Sequence, residues 1–488
     1  MAEYTGKYQQ PIRRKKQIPK WKRMLHKYWP PIRFGLIILG LIMVITLVGC
    51  SIGSVVRGCS NQKPVASTPD NTTAAAEEAP MTQEEIDSAA AAIIKEADFI
   101  AAGYNYQKAI DLLKEFSYYD QYPEMAEKIS AYEVADQQLV VYENMGEITH
   151  VFFHSLIVDP TRSFDGEYTD GGYNQYMTTV AEFNAILQEM YNKGYVLVTP
   201  YQVARENASG QFEYCEIRLP AGKKPFIMSQ DDLNYYGYMI AAQDGSNETP
   251  IFATTAGDGF AHKIVIGEDG FPTCEYMDKN GVITTGDYDL VPALETFIQQ
   301  HPDFSYQGAR AVLGMTGYEG VFGYRTKPSY RAAMGDDAYN KEVAAAKAVA
   351  QNLRDHGWVL ASHSYGHPAY GEITAEKVNT DSQKWEDTVQ TIIGDADVIL
   401  YPHGSDIAGV EKYSFDNAKF TYLYEDGYRY FFNVDSSIYW TQLGDNYYRG
   451  GRRNLDGYRM YYNPNLLEDL FDVKNVFDQA RPTPVPAI

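Results

Sequence analysis

From His150 onward the chain alternates short apolar runs with longer amphipathic stretches. Val151–His154, Tyr195–Val198, Phe226–Ser229, Val359–Ser362, Val398–Tyr401 and Tyr430–Val434 are the apolar runs. Their lack of internal apolar/polar alternation predicts strands buried on both faces, as in a parallel sheet covered by helices. Val180–Lys193, Asp289–Gln300 and Asn340–His356 carry the 3.6-residue period of helices between them. Alternation of this kind predicts an α/β domain whose chemistry gathers where the strands end. Gly257–Gly286, with its alternating Asp, Gly and Thr, reads as an inserted hairpin.

Upstream the period changes. Ala89, Ile93, Ala97 and Ile100 recur at spacings of four and three, and Thr82 with Glu85 forms a candidate capping box, so residues 81–146 are expected to be a helical stalk. Residues 101–110 resemble one arm of a tetratricopeptide hairpin, too little for a solenoid. Residues 57–80 are rich in Ser, Thr, Pro, Asn and Ala and read as a linker.

Before that linker, Phe34 to Val56 gives 23 uncharged, mostly aliphatic residues, long enough to span a bilayer as a transmembrane helix. Ten Lys or Arg against the single acid Glu3 fill residues 1–33, which the positive-inside rule assigns to the cytoplasm, with everything after Arg57 outside. Leu47-Val48-Gly49-Cys50 also resembles a lipoprotein cleavage site; the long basic region and the apolar run continuing through Val56 favour an uncleaved anchor. The net charge of −22 excludes a nucleic-acid partner, which needs a basic surface. With 41 Tyr against 5 Trp, the chain has many flat amphipathic rings of the kind that stack on sugars. Only Cys215 and Cys274 lie in the body of the chain, so no disulfide framework is implied.

Two motifs stand at predicted strand ends. Ser229-Gln230-Asp231-Asp232 places two adjacent carboxylates where a cation or a shared proton must relieve their repulsion. His363-Ser364-Tyr365-Gly366-His367 can aim two imidazoles at one point, the arrangement a zinc site with an open fourth position requires. Together they form a three-ligand set with a spare carboxylate.

These motifs resemble those of the polysaccharide deacetylases of carbohydrate esterase family 4, over roughly His150 to Phe471. Asp-Asp and His-Ser-x-x-His match the family's first two motifs, and Phe153-His154-Ser155-Leu156 is similar to its opening strand. The resemblance implies a distorted (β/α) barrel over residues 147–476 with a tail at 477–488. It also implies metal-dependent hydrolysis of acetyl groups from a cell-wall polysaccharide, with zinc the expected metal. By resemblance Asp231 is the general base and Asp232, His363 and His367 bind the metal.

Two departures from the family pattern matter. Leu400, in Leu400-Tyr401-Pro402-His403-Gly404, stands where an Arg should orient the base; Arg452 and Arg453, in an expected Gly-rich loop, are the candidate substitutes, and Arg453 is assigned to the site. The family's Leu-x-His general acid has no counterpart, because His403 is the last histidine of the chain. His403, following Pro402 at a strand end, is therefore the candidate proton donor. If turnover is lost with these departures, a catalytically weak protein that binds wall glycan or a partner is the alternative.

Overall fold

The computed structural model describes residues 81–488 apart from 167–169, 241–256 and 436. The expected cytoplasmic segment 1–33, transmembrane helix 34–56 and linker 57–80 lie outside the described residues. Among the described residues no helix is long and apolar enough to cross a membrane.

Seven strands form a closed parallel barrel: β1 Thr149–Phe153, β2 Lys224–Gln230, β3 Val312–Met315, β4 Val359–Ser362, β5 Val398–Leu400, β6 Tyr430–Val434 and β7 Tyr448–Asn454. Each pairs with the next in chain order, and β7 returns to pair with β1 through Arg452 opposite His150. A short strand, Tyr195–Leu197, adds to the first half of β2 outside the ring.

The pleat divides the strand residues into two sets. Ile227, Val312, Val359, Ala361, Val398, Leu400, Phe432 and Tyr448 share one buried cluster that fills the barrel. Val151, Phe153, Phe226, Met228, Leu313, Met315 and Leu360 belong to another, packed against Phe183, Ile186, Leu294, Val349 and Leu353 of the surrounding helices. Gly314 lies among the inner positions, and a Cβ there would sit 2.9 Å from Leu400 Cδ1 and 3.4 Å from His363 Cβ.

Two of these strands are not evident from apolar pattern. β3 is interrupted by Gly314, and β7 reads Tyr-Arg-Gly-Gly-Arg-Arg-Asn, which looks like the Gly-rich loop expected there. It is a strand because its arginines are neutralised by buried carboxylates and carbonyls rather than by water. The 257–286 insertion contains a three-stranded antiparallel sheet, Lys263–Ile266, Pro272–Met277 and Ile283–Gly286.

Three helices precede the barrel: α1 Gln83–Ala102, α2 Tyr106–Lys114 and α3 Pro123–Gln137. Thr82 and Glu85 form the capping box expected of α1. These helices dock on the barrel. Tyr104 is buried, its hydroxyl donates to the Asp303 carbonyl at 2.9 Å, and the Gln307 amide donates to the Gly103 carbonyl at 2.7 Å. The docking face is the Pro302–Gly308 connection leading into β3, so the helices cover the end of the barrel opposite the motifs. The expected tail is likewise packed down: Arg481 makes a fully buried ion pair with Glu182 at 2.5 Å.

Candidate metal centre and its acid–base neighbours

Asp231 directly follows β2, on the inward side of the pleat with Ile227 and Ser229. Asp232 turns the chain out of the strand with φ 58°, a left-handed conformation a non-glycine residue rarely adopts. His363 follows β4, and Ser364 (φ 63°) and His367 (φ 53°) fold the next loop back over the mouth. Asp381 holds that loop by accepting the Tyr365 and Gly366 amides, each at 2.8 Å. With Tyr235 and His403, five of the eight described non-glycine residues with positive φ gather here, at a cost of about 1–3 kcal/mol each.

The result is a convergent donor set. His363 Nε2 and His367 Nε2 lie 3.2 Å apart, and Asp232 Oδ2 is 3.9 Å and 3.8 Å from them. A tetrahedral zinc site with bonds of about 2.0–2.1 Å has ligand–ligand edges of about 3.3–3.4 Å, so a small inward movement of the carboxylate closes these three donors on an ion. The neighbours prepare the right atoms. His363 Nδ1 is 2.7 Å from the Leu400 carbonyl, so the ring proton sits there and Nε2 keeps its lone pair. Tyr236 donates to Asp232 Oδ1 at 2.6 Å, leaving Oδ2 for the histidines. The residues present fit a divalent cation with nitrogen and oxygen ligands.

Asp231 is the spare carboxylate, buried and 3.8 Å from His363 Nε2. Burial pushes its pKa up, but Arg452 and His363 more than reverse this and hold the carboxyl well below the usual range. Asp232 behaves similarly: burial raises it, and His363 and His367 bring it below the ordinary value.

The guanidinium on Asp231 is that of Arg452, not Arg453. Arg452 Nη1 donates to Oδ1 at 2.5 Å and Nη2 to Oδ2 at 2.9 Å, with the side chain fully buried over the Phe152 ring. Arg453, assigned to the site from sequence, points the other way and pairs with Asp469 at 2.7 Å. The reason is the two-residue period of a strand: in a loop either arginine could reach inward, whereas on β7 only Arg452 shares the inner face with Gly450 and Tyr448.

His403 is exposed on the rim, its ring edge-on to His367 at 4.4 Å between centroids and its Nε2 3.3 Å from the His367 carbonyl. A second imidazole, His154, follows β1 on the opposite side of the mouth. Its Nδ1 is 3.1 Å from the Tyr176 carbonyl, and it is near enough to Asp231, Asp232 and buried Asp456 to contribute to holding their carboxyls down. In the sequence His154 belongs to the expected opening strand, and its place at that strand's terminus is the signal that marks it as a site residue.

No family profile and no curated protein matches the chain. Among solved structures, it is similar to the Streptococcus pyogenes deacetylase PplD in complex with acetate, with 13% identity and a TM-score of 0.35, covering 68% of this chain and 99% of that one. It is also similar to the chitin deacetylase of the fungal pathogen Colletotrichum lindemuthianum, with 14% identity and a TM-score of 0.19, covering 38% of this chain and 75% of that one. Similarity this remote leaves the chemistry of the site to be read from its own residues.

Proposed function

We propose that the chain is a metal-dependent deacetylase that removes acetyl groups, N-acetyl foremost, from a cell-wall polysaccharide such as peptidoglycan. The observation that carries this reading is the buried Asp231–Arg452 pair set beside the Asp232, His363 and His367 donors at the C-terminal mouth of a parallel barrel. When bound there, a divalent cation, zinc first among those the donors suit, supplies Lewis acidity that lowers the pKa of water to about 7 and polarises an acyl oxygen. Asp231, kept ionised and oriented by Arg452, accepts the proton released as a nucleophilic water adds to the acetyl carbonyl. The backbone N–H of His403, on the rim loop, donates to the oxygen of the tetrahedral intermediate.

Collapse of that intermediate needs a proton on the departing amine, and two imidazoles flank the mouth. His154 takes this role, because its Nδ1 is tied to the Tyr176 carbonyl and Nε2 is left for the leaving group among acidic neighbours. His403, the donor expected from sequence, has its Nε2 at the His367 carbonyl and its remaining edge in solvent, which suits a contact to substrate at the rim.

The basic residues 1–33 and apolar residues 34–56 support a single-pass membrane anchor that presents the barrel outside the cell, facing wall glycan. The test is acetate release by the zinc-loaded full-length chain from acetylated wall fragments, with Asp231→Asn as control. Release by the wild type that falls at least about 10²-fold in the variant supports the reading; release that survives Asp231→Asn removes the assigned base.

A further inference from the structure

The mouth carries an aromatic group whose outer rings, Tyr238 and Tyr318, neither metal binding nor proton transfer uses. Tyr236 and Tyr238 follow the Asp-Asp motif, and their rings stack at 5.8 Å with an interplanar angle of 13°. Tyr318, in the loop after β3, meets Tyr236 edge-on at 6.2 Å and 87°. The outer two are open to solvent: Tyr238 is 36% exposed and Tyr318 48%. Among the described residues, exposure of that size leaves part of each ring open to solvent, against the tendency of large aromatics to be covered.

The group is built rather than incidental. The Tyr236 hydroxyl donates to Asp232 Oδ1 at 2.6 Å and meets Thr316 Oγ1 at 2.7 Å, which fixes its ring relative to a metal ligand. Glu319 accepts the Gly237 amide at 2.6 Å and pairs with buried Arg325 at 3.2 Å, tying the Tyr236–Tyr238 segment to the Tyr318 loop. Two chain segments far apart in sequence are thus locked together, with Tyr318 edge-on to Tyr236, one metal-ligand carboxylate away from the reacting position.

We infer that Tyr238 and Tyr318 form a sugar-stacking platform that seats a pyranose ring of the glycan next to the Asp232–His363–His367 site. The inference rests on the proposed deacetylase reading for which bond is cut, but not for what is bound. A pyranose offers a face of C–H groups that packs on the electron-rich face of a tyrosine, and two exposed rings flanking Tyr236 offer such faces on both sides of it.

The experiment uses the full-length chain after chelation, so that binding is read without turnover, with a soluble N-acetylglucosamine tetramer as probe in titration calorimetry. Tyr238→Ala and Tyr318→Ala should each weaken binding by about 3- to 10-fold, and Tyr318→Trp should retain it, since a larger flat ring still stacks. In the zinc-loaded chain the same alanine variants should raise KM more than they lower kcat. Unchanged affinity in both alanine variants overturns the platform even where acetate is released. Weakened affinity supports the platform even if the wild type releases no acetate, a result that removes deacetylation alone.

Discussion

Replacing Arg452 by Met separates the two things this side chain does. Arg452 is fully buried and gives Asp231 two hydrogen bonds, at 2.5 Å and 2.9 Å, while its guanidinium lies over Phe152 at 4.4 Å. Methionine keeps the packing over the ring and deletes the charge, so the main loss is an unpaired carboxylate in the barrel. Removing one partner of such a pair costs about 3–5 kcal/mol. The sign with pH follows from the forces on Asp231, where burial raises the carboxyl and Arg452 with His363 lowers it below the ordinary value. In the wild type the pair's contribution is present above the unfolded carboxyl pKa, about 3.9, and is lost only as pH falls through the lower folded value. In Arg452→Met burial dominates, the folded pKa rises above the unfolded one, and the penalty shrinks as the pH falls and the carboxyl takes a proton. Urea unfolding of metal-free protein at pH 8 and pH 5.5 should therefore show a larger loss of midpoint at pH 8. The double variant Arg452→Met/Asp231→Leu should recover most of the stability while staying inactive. An unchanged midpoint in the single variant, or a double variant no more stable than the single one, would show that Arg452 does not offset the buried charge of Asp231. Arg453→Met, which leaves Asp469, the Thr149 hydroxyl and the Leu466 carbonyl without their buried guanidinium partner, should cost about 1–3 kcal/mol of stability while leaving turnover of the folded protein near wild type.

Three further outcomes are expected. Asp232→Ala, His363→Ala and His367→Ala should each abolish tight zinc binding, measured by metal content after dialysis, while Asp231→Asn keeps the ion; equal loss in Asp231→Asn and Asp232→Asn would reverse the carboxylate assignments. His154→Ala should lower kcat by about 10²–10⁴-fold with zinc content unchanged, and His403→Ala by less than about tenfold; the opposite ranking returns the proton-donor role to His403. His262 is buried, and burial with Arg162, Arg325 and Lys263 pushes its pKa down to about 4. The folded state thus keeps it neutral while the unfolded chain takes a proton below about 6.5, so stability falls as pH drops from there to 4. Thermal unfolding of His262→Gln should show a shallower decline over that window, and an unaltered slope would show that His262 is not the group responsible.

How much of this was legible in the chain differs by element. Strands built from unbroken aliphatic runs, such as Phe226-Ile227-Met228 and Val398-Ile399-Leu400, announce themselves, and the Asp-Asp and His-Ser-x-x-His motifs at their ends follow. β3 and β7 do not, because a barrel interior tolerates Gly where a neighbouring Leu400 fills the space and Arg where a carboxylate neutralises it. That single misreading of β7 as a loop is what put Arg453 rather than Arg452 beside Asp231. The docking of residues 81–146 was hidden for a different reason: amphipathic period shows that a helix has a buried face, not what covers it. His154 and the tyrosines at 236, 238 and 318 carry no spacing signature, and only the closure of the ring brings β1, β2 and β3 ends together.

The most direct test of the account is acetate release measured against zinc occupancy in the full-length chain. One tightly held divalent ion per chain is expected. Acetate release from an N-acetylated wall glycan should stop on chelation, return with added zinc, and stay absent in Asp231→Asn at full occupancy. A zinc-loaded wild type that releases no acetate from any acetylated glycan would contradict it and leave a glycan-binding protein with an intact metal site.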